Sequence, residues 1–400
     1  MNKFDVIVVG MGPTALLAAA ACAERGLSVV VISPAPDQRW NQRYADFASE
    51  INDTPLEASV LASWPAVEFV SARGVVAHLS EAYSLIDTAR LASDLRSRAE
   101  RAGVQVMRGV VRGADPRSAG GMTVYGDGLS VDGAVVIDAT GFQPALVKRP
   151  APTAYQTALG WRIETPGAPY NPGAMRFMDL RDAGAPPTFL YAMPHADGTW
   201  FVEETSLVAT NAPNFDALAD RLRARLERDG VVVTRVLETE RCRIPMDTPI
   251  PDLDQPVVGF GAAGSMIHPS TGYLVTRAAR TAPKVADAIV AGLAAGAPRA
   301  ATRDAWRAIW PVGGRITRTL QQFGARALLS MPADELSTFF ERFFALPPDR
   351  WRTWMRADAD PTEVAATMWT LFGTLDLHTR WQVVRATAPN RPSANEPVPQ

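Results

Sequence analysis

Two adjacent glutamates lie in an apolar, β-branched stretch of the sequence, F-V-E-E-T-S-L at residues 201–207. Successive side chains of a strand point to opposite faces, so Glu203 and Thr205 share one face and Glu204 lies on the other. A solvated edge strand is the plainer interpretation of such a pair. If either glutamate instead faces an apolar pocket, its carboxyl group stays protonated at neutral pH and can donate a proton.

A glycine turn near the start of the chain has the spacing of a nucleotide site. Gly10, Gly12 and Ala15 form G-x-G-x-x-A between an apolar strand at residues 4–9 and a helix. The first glycine permits a tight turn and the second lets the backbone approach a pyrophosphate. The small third residue lets helix and strand pack closely, and the helix N-terminus faces the phosphates. The position that often holds an acid for the ribose hydroxyls is Ser33, which can make a single neutral hydrogen bond.

Two later glycine segments favour FAD over NAD as the nucleotide. One ends a strand at residues 138–141, and the other, at 261–264, precedes a long helix. This order is similar to the glutathione-reductase-like flavoproteins, in which the late glycine loop approaches the flavin. The G-x-G-x-x-G at residues 259–264 is this late glycine segment itself, so we expect no dedicated nicotinamide domain. The further residues expected to contact the cofactor are Val111, Asp138, Gly141, Gly261, Ala262 and Gly264.

Composition narrows the class of protein. The chain has 400 residues, of which 47% are hydrophobic and 20% charged, and a net charge of −2, so we expect no nucleic-acid partner. Two cysteines and four scattered histidines argue against a disulfide framework and against a metal centre. Apolar runs are shorter than the ~20 residues that span a bilayer, and no signal segment is evident. We therefore expect a cytoplasmic protein, with peripheral membrane contact left open.

The order of predicted elements indicates an α/β fold. We expect a Rossmann-type, glutathione-reductase-like FAD-binding domain, an inserted mixed-sheet substrate domain and a C-terminal helical region. Asp87 and Asn214 are the expected N-caps of two amphipathic helices. The predicted boundaries are residues 1–148 and 252–298 for the FAD-binding domain, 149–251 for the substrate domain, 299–385 for the helical region and 388–400 for a disordered tail.

Several stretches resemble the flavin-dependent lycopene cyclases of the plant and cyanobacterial type. They are PTFLYAMP, FVEETSLV, CRIPM, GAAGSMIHPSTGYLVTRAARTAPKVADAI and FFERFFALPPDRWRTWM, and the resemblance extends to about residue 375. It implies a lipophilic polyene substrate, lycopene or a near relative, whose end groups are cyclised without net redox change. It also implies reduced FAD as an electrostatic stabiliser of the cation and NADPH as the reductant of the flavin.

The resemblance assigns roles to particular residues. Glu203 is implied to be the catalytic acid, and Glu204, the other member of the candidate pair, is expected to be structural and paired with an arginine. Free amides of Thr271 and Gly272, at the N-terminus of the helix after HPS, are expected to stabilise the flavin anion. His268 is expected either in the site or in a core or capping role.

Other interpretations remain open. RYADFASEI at residues 43–51 matches only loosely the family's tyrosine–tryptophan–acid segment, so the substrate can be another prenyl or terpenoid chain. A flavin monooxygenase of the same fold, or a non-catalytic flavin- or carotenoid-binding protein, is the alternative in function. A group of C-terminal aromatic residues can form a core or the mouth of a substrate tunnel on a membrane. These residues are Phe340, Phe343, Phe344, Trp351, Trp354 and Trp369.

Overall fold

The computed structural model describes residues 3–118, 120–329 and 331–387, so the predicted tail at 388–400 lies outside the described residues. The chain has the predicted mixed α/β class, with two large sheets, a small third sheet and a C-terminal set of helices. The strands are β1 (Lys3–Val9), β2 (Val29–Ser33), β3 (Tyr44–Phe47), β4 (Val60–Trp64), β5 (Ala66–Val70), β6 (Val76–Leu79), β7 (Tyr83–Ile86), β8 (Gln105–Arg108), β9 (Val111–Pro116), β10 (Met122–Gly126), β11 (Leu129–Asp138), β12 (Tyr155–Glu164), β13 (Ala174–Asp179), β14 (Thr188–Pro194), β15 (Trp200–Ser206), β16 (Arg235–Pro245) and β17 (Val258–Gly259). The helices are α1 (Pro13–Ala23), α2 (Ala48–Ile51), α3 (Thr88–Arg101), α4 (Phe215–Arg228), α5 (Val275–Ala294), α6 (Pro298–Ile309), α7 (Val312–Leu329), α8 (Ala333–Phe344), α9 (Pro348–Met355), α10 (Pro361–Thr374) and α11 (Leu377–Thr387).

The first sheet is of the Rossmann type. Its strand order is β8-β2-β1-β11-β10-β9, with β17 beside β11, and β8, β2, β1, β11 and β17 run parallel. β2 is buried along its whole length, as expected for a parallel strand that is covered on both faces. The alanine-rich α1 is also buried throughout, because it packs against both α3 and α5. This arrangement places the N-terminus of α1 at the carboxyl edge of β1.

The second sheet carries the glutamate pair. Its order is β16-β12-β15-β14-β13-β5-β6, and all neighbours are antiparallel except β13 and β5. One face packs against α4, where Val202 meets Leu218 and Leu222. The other face packs against the C-terminal helices through an aromatic cluster that includes Phe177 and Phe340. The side chains of Glu203 and Glu204 therefore face two different hydrophobic cores.

The small third sheet has the order β3-β7-β4.

The two predicted helix caps are confirmed. The Asp87 carboxylate accepts a hydrogen bond from the Arg90 amide at 3.0 Å, and the Asn214 side chain accepts one from the Ala217 amide at 2.8 Å. Both side chains satisfy amides that the first helical turn leaves without partners.

Among the described helices, none is long and apolar enough to cross a membrane.

Candidate active site

One row of residues crosses the second sheet at Glu203. Glu203 lies opposite Tyr191 of β14 on one side and opposite Gly160 of β12 on the other. Gly160 in turn lies opposite Glu240 of β16. Directly opposed residues of antiparallel strands share a face, so Tyr191, Glu203 and Glu240 all face the aromatic cluster. Within β15 Glu203 alone is half-buried, and every other residue of the strand is buried.

The surroundings of Glu203 favour its neutral form. Its Oε1 accepts a hydrogen bond from Thr205 Oγ1 at 2.7 Å. Burial raises the pKa of the Glu203 carboxyl to about 8, and the nearby Glu240 adds to the shift, while the Thr205 hydrogen bond and the Arg43 guanidinium oppose it. At neutral pH the group therefore holds a proton that it can donate.

Glu204 lies on the opposite face, in an ion pair with Arg225 of α4. Arg225 Nε is 2.8 Å from Glu204 Oε2, and the two side chains are 3% and 0% exposed. Arg225 also donates to the Thr188 carbonyl at 3.1 Å. Burial raises the pKa of Glu204, and the charge of Arg225 opposes the shift. The arginine expected beside Glu204 is thus Arg225, and the pair ties α4 to the sheet.

An apolar cavity lies on the Glu203 face of the sheet. Its volume is about 390 Å³, and Tyr191, the neighbour of Glu203 in the row, contributes to its wall. Of the C-terminal aromatics, Phe340, Phe343 and Trp351 are buried, whereas Trp369 lines the cavity and is 77% exposed. The cavity therefore runs from the sheet to the protein surface at α10. The remaining aromatic residues in its wall are Phe177, Phe189, Tyr273, Phe323, Phe339, Phe340, Phe343, Phe344, Trp354 and Phe372.

A second buried acid, Asp46, lies close to the cavity and was missed by the sequence analysis. It is 3% exposed, and its Oδ2 accepts a hydrogen bond from Thr276 Oγ1 at 2.6 Å. Burial raises the pKa of Asp46 to about 7, although the Thr276 bond opposes the shift. Nearby, the hydroxyl oxygens of Tyr83 and Tyr273 are 3.2 Å apart.

In the part of the chain that the structure describes, no group of three or more His, Cys, Asp and Glu is placed to hold a metal ion.

The predicted nucleotide turn lies where three loops meet. Gly10 has φ +116°, and a Cβ there would lie 2.5 Å from the Ala139 carbonyl oxygen. Gly261 has φ +66°, and a Cβ there would lie 2.5 Å from Thr14 Oγ1. Both positions therefore require glycine, because the loops at 138–141 and 261–264 approach the first turn so closely.

The space in front of this turn suits an anionic group. At Gly12 no atom of the described residues lies within 4 Å of the position that a Cβ would take. Gly12 is the N-cap of α1, and no side chain in the described part of the chain caps that helix. Helix amides without partners and an open approach are what a pyrophosphate needs. Ala15 is fully buried, as a close helix–strand contact requires.

Asp138, predicted to contact the cofactor, has its carboxylate engaged with its own loop. Its Oδ2 accepts hydrogen bonds from the amides of Leu146 and Val147 at 2.6 and 3.0 Å, and its Oδ1 accepts one from the Thr140 amide at 3.0 Å. The side chain is 0% exposed. Asp138 therefore shapes the loop, and Gly141, with φ +108° and open space at its Cβ position, is the residue able to approach a ligand.

The other predicted cofactor residues lie around the same edge of the sheet. Ser33 ends β2, is 6% exposed, and its Oγ accepts a hydrogen bond from the Ala35 amide at 3.3 Å. Val111 begins β9 and is half-buried against the first core. In the late loop, Ala262 is half-buried, and a Cβ at Gly264 would lie 2.2 Å from the Gly259 carbonyl oxygen.

His268 organises the turn that precedes α5. Its Nδ1 accepts hydrogen bonds from the amides of Ser270 and Thr271, both at 3.2 Å, so Nε2 carries the proton and donates to the Trp354 carbonyl at 3.2 Å. Burial lowers the pKa of His268 to about 3, so the ring is neutral. The Gly272 amide donates to the His268 carbonyl at 3.0 Å.

These contacts give His268 a core role and correct one expectation. The amides of Thr271 and Gly272 already have acceptors within the turn, so the expectation that they are free for a flavin is wrong. α5 begins later, at Val275, because the turn held by His268 separates it from the HPS segment. The Thr271 side chain still lines the apolar cavity.

Solved structures share the overall fold. A geranylgeranyl bacteriochlorophyll reductase-like protein from Thermoplasma acidophilum has a TM-score of 0.71 at 15% identity and covers 96% of this chain and 100% of its own. A probable FAD-dependent monooxygenase from Pseudomonas aeruginosa has a TM-score of 0.59 at 16% identity and covers 85% of this chain and 100% of its own. At such identities the likeness concerns the fold alone.

Sequence comparison is more specific. The chain matches the family described as "Lycopene cyclase protein" over residues 5–380. Lycopene beta cyclase of Synechococcus elongatus is 34% identical over 94% of this chain and 95% of the relative, and the chloroplastic lycopene beta cyclase of Arabidopsis thaliana is 35% identical over 87% and 73%. Neoxanthin synthase of Solanum lycopersicum is 30% identical over 96% and 80%. The chain therefore belongs to the lycopene cyclase family.

Proposed function

We propose that this enzyme cyclises the linear end groups of lycopene, or of a closely related carotenoid, without net oxidation or reduction. The observation that carries the proposal is Glu203, a carboxylic acid that holds its proton at neutral pH on the sheet face that bears an apolar cavity. An alkene is a weak base, so its protonation requires an acid shielded from water.

The cyclisation follows from one proton donation. Glu203 gives its proton to the CH carbon of the terminal trisubstituted alkene, which leaves a tertiary cation on the neighbouring carbon. The next double bond along the chain attacks that cation and closes the ring, which leaves the positive charge on a ring carbon. A neighbouring ring carbon then releases a proton, which passes to solvent, and the new ring alkene forms. Product and substrate are isomers, and solvent returns the proton to Glu203. The aromatic rings in the cavity wall stabilise the positive charge and exclude water that would trap it.

The chain has a fitting place for FAD. The open N-terminus of α1 at Gly12 would receive the pyrophosphate, and the loops at Gly141 and Gly261 would border the rest of the cofactor. Bound and reduced, the flavin supplies negative charge near the developing cation, with NADPH as its reductant. The chemistry on the substrate remains that of Glu203 and the cavity.

The substrate is proposed to enter from a lipid surface. A cavity of about 390 Å³ is of the size that encloses a drug-sized ligand, so it holds an end group and part of a polyene rather than a whole carotenoid. The rest of the chain would extend past Trp369, where the cavity reaches the surface. Lipophilic polyenes partition into membranes, so a peripheral contact at this opening fits the substrate.

The atom balance provides the test. In D₂O without oxygen, with the flavin reduced once by dithionite, the enzyme should turn over many times without NADPH. Each new ring should carry one deuterium, at the former terminal alkene CH. A yield limited to one product per flavin, or a need for O₂, would contradict the cyclase and support a monooxygenase. Many turnovers without deuterium would exclude an exchangeable acid such as Glu203.

A further inference from the structure

Glu203 has a carboxylate neighbour in its own row of the sheet. Glu240 lies two strands away on the same face, roughly 10 Å between backbones at the usual strand spacing. The residue between them is Gly160, which has no side chain. The ring of Phe201 fills the space above that glycine, since a Cβ there would lie 2.3 Å from Phe201 Cζ. An apolar ring, instead of solvent, therefore separates two acidic side chains.

Arg43 supports the charged form of Glu240. Burial raises the pKa of Glu240, as it does that of Glu203, but Arg43 opposes the shift with two hydrogen bonds as well as its charge. Glu240 is 7% exposed, and Arg43 donates to both of its carboxylate oxygens, from its backbone amide at 2.8 Å and from Nη1 at 3.1 Å. The Arg43 guanidinium also lies 4.3 Å from the centre of the Phe201 ring. In contrast, the hydrogen-bond partner found for Glu203 among the described residues is a neutral hydroxyl, that of Thr205.

We propose that Glu240 is a positioning residue for the reaction: fixed as an anion by Arg43, it keeps the proton on Glu203 until the alkene takes it. Where two carboxyl groups interact through their charges, the one that ionises first makes the other keep its proton to higher pH. Glu240 accepts one hydrogen bond from the Arg43 guanidinium and one from the Arg43 backbone amide, and both favour its charged form. The proton therefore stays on Glu203. The inference rests on the proposed function of Glu203 as the acid.

None of the other charged or titratable groups around Glu203 that the structure describes favours its protonated form as much as Glu240 does. Arg43 acts in the opposite direction, because a cation favours the ionised form of Glu203. Glu204 raises the pKa of Glu203 less than Glu240 does, and its charge is paired with Arg225 behind the sheet. The remaining neighbours are neutral at physiological pH, because burial raises their own pKa values. They are Tyr83, Tyr191 and Cys242.

The test is a titration of the Glu203 carboxyl group in the folded protein. Its infrared C=O band is assigned as the band that Glu203→Gln removes, and its pH midpoint is measured in Glu240→Gln. We expect the midpoint to fall by roughly one pH unit or more, since an adjacent negative charge has been removed. The alkaline limb of the pH–rate profile should move by the same amount. Glu238→Gln is the matched control: Glu238 also bonds Arg43, but its side chain is 49% exposed, and we expect no change in the midpoint.

An unchanged midpoint in Glu240→Gln would overturn the inference. If that variant does not fold, the titration of Glu240 in Glu203→Gln tests the same assignment, because the neutral amide stands in for the protonated Glu203: Glu240 should still titrate well below the Glu203 midpoint of the wild type. A Glu240 midpoint at or above that of Glu203 would again overturn the inference. The proposed function fails separately, if the Glu203 midpoint moves in Glu240→Gln while the pH–rate profile does not. In that case Glu203 titrates as inferred but is not the acid of the reaction.

Discussion

Two neighbouring glutamates differ in environment because they lie on opposite faces of one strand and have different partners. Glu204 faces Arg225 inside the α4 core, with both side chains almost fully buried, and so is held as part of an ion pair. Glu203 faces an aromatic cluster and accepts a hydrogen bond from Thr205, and Glu240 is the acid that raises its pKa most. Strand alternation alone separates the two environments. A shift of one residue in register would exchange the two acids and place Glu204 on the sheet face that bears the cavity.

The raised pKa of Glu203 predicts how stability depends on pH. The folded-state pKa is about 8, above the ordinary value of 4.5, so the folded protein binds more protons than the unfolded chain between these values. The free energy of unfolding should therefore fall as pH rises through this window. Glu203→Gln does not titrate, so the variant should gain stability relative to wild type at pH 9 compared with pH 5. Urea unfolding at the two pH values measures the difference. Glu238→Gln, at a more exposed position, should not show this gain, and an equal difference at both pH values for Glu203→Gln would contradict the assignment.

At the scale of elements, local patterns in the sequence predicted much of the structure. The alternation of FVEETSL predicted the two faces of β15, and Asp87 and Asn214 predicted the starts of α3 and α4. These features depend on residues close together in sequence. The strands β5 and β6 were not predicted, because part of the segment that forms them is polar and because they pair with a sheet whose other strands lie some 100 residues later.

The partners of Glu203 could not be predicted for the same reason. Arg43 and Glu240 are 197 residues apart, and nothing in either local sequence indicates that they meet. Glu238 and Glu240 alternate along β16 as in a solvated edge strand, which is the pattern of an exposed face. Only the register of three strands places Glu240 in the row of Glu203. The sequence indicated the acid; the fold was needed to find the group beside it.

The ion pair between α4 and the sheet predicts a large effect of single substitutions. Arg225→Met leaves Glu204 buried without a counter-charge, which should lower the free energy of unfolding by about 3–5 kcal/mol. The double variant Glu204→Leu/Arg225→Met should recover most of that loss, because no buried charge remains. Urea unfolding measures both. The exposed pair Arg112–Asp127, with side chains 61% and 71% exposed, is the control, and Arg112→Met should leave the free energy of unfolding nearly unchanged. If Arg225→Met and Arg112→Met lowered the free energy of unfolding by the same amount, the buried ion pair would contribute no more to stability than the exposed one.

The first turn of α1 predicts the effect of a single added side chain. Gly12→Val places a branched side chain in the open space before the helix, where a pyrophosphate would lie, so the variant should no longer retain FAD. Flavin absorbance of the purified protein measures retention. Gly167→Val is the control, since Gly167 also has open space at its Cβ position but lies away from the turn, and it should retain FAD normally. Full retention of FAD by Gly12→Val would remove the turn from the cofactor site.

At the scale of the whole molecule, one segment links the nucleotide turn to the acid. Trp40 Nε1 donates to the Met11 carbonyl beside that turn at 3.1 Å. Three residues later Arg43 holds Glu240, and Asp46 then bonds Thr276 in the first turn of α5. The first sheet, the second sheet and α5 thus all meet along residues 40–46. The nucleotide turn is therefore linked to the carboxylate beside Glu203 by the Trp40 hydrogen bond, the chain from residue 40 to 43 and the Arg43 hydrogen bonds.

The opening of the cavity predicts where the molecule meets its substrate. Trp369, which lines the cavity, and Leu377, two residues after the lining residue Leu375, are 77% and 81% exposed, an arrangement that suits insertion into a lipid surface. Replacing both by serine should weaken binding to phospholipid vesicles and slow turnover of vesicle-embedded lycopene, because each loses buried apolar area in the lipid. Turnover of detergent-solubilised lycopene should fall less than turnover of vesicle-embedded lycopene, since Trp369 lines the cavity but neither residue belongs to the row of Glu203. Val75 and Val232, 56% and 61% exposed elsewhere, provide the control pair, and serine at both should leave vesicle binding intact. Equal vesicle binding by both double variants would place the membrane contact on another surface.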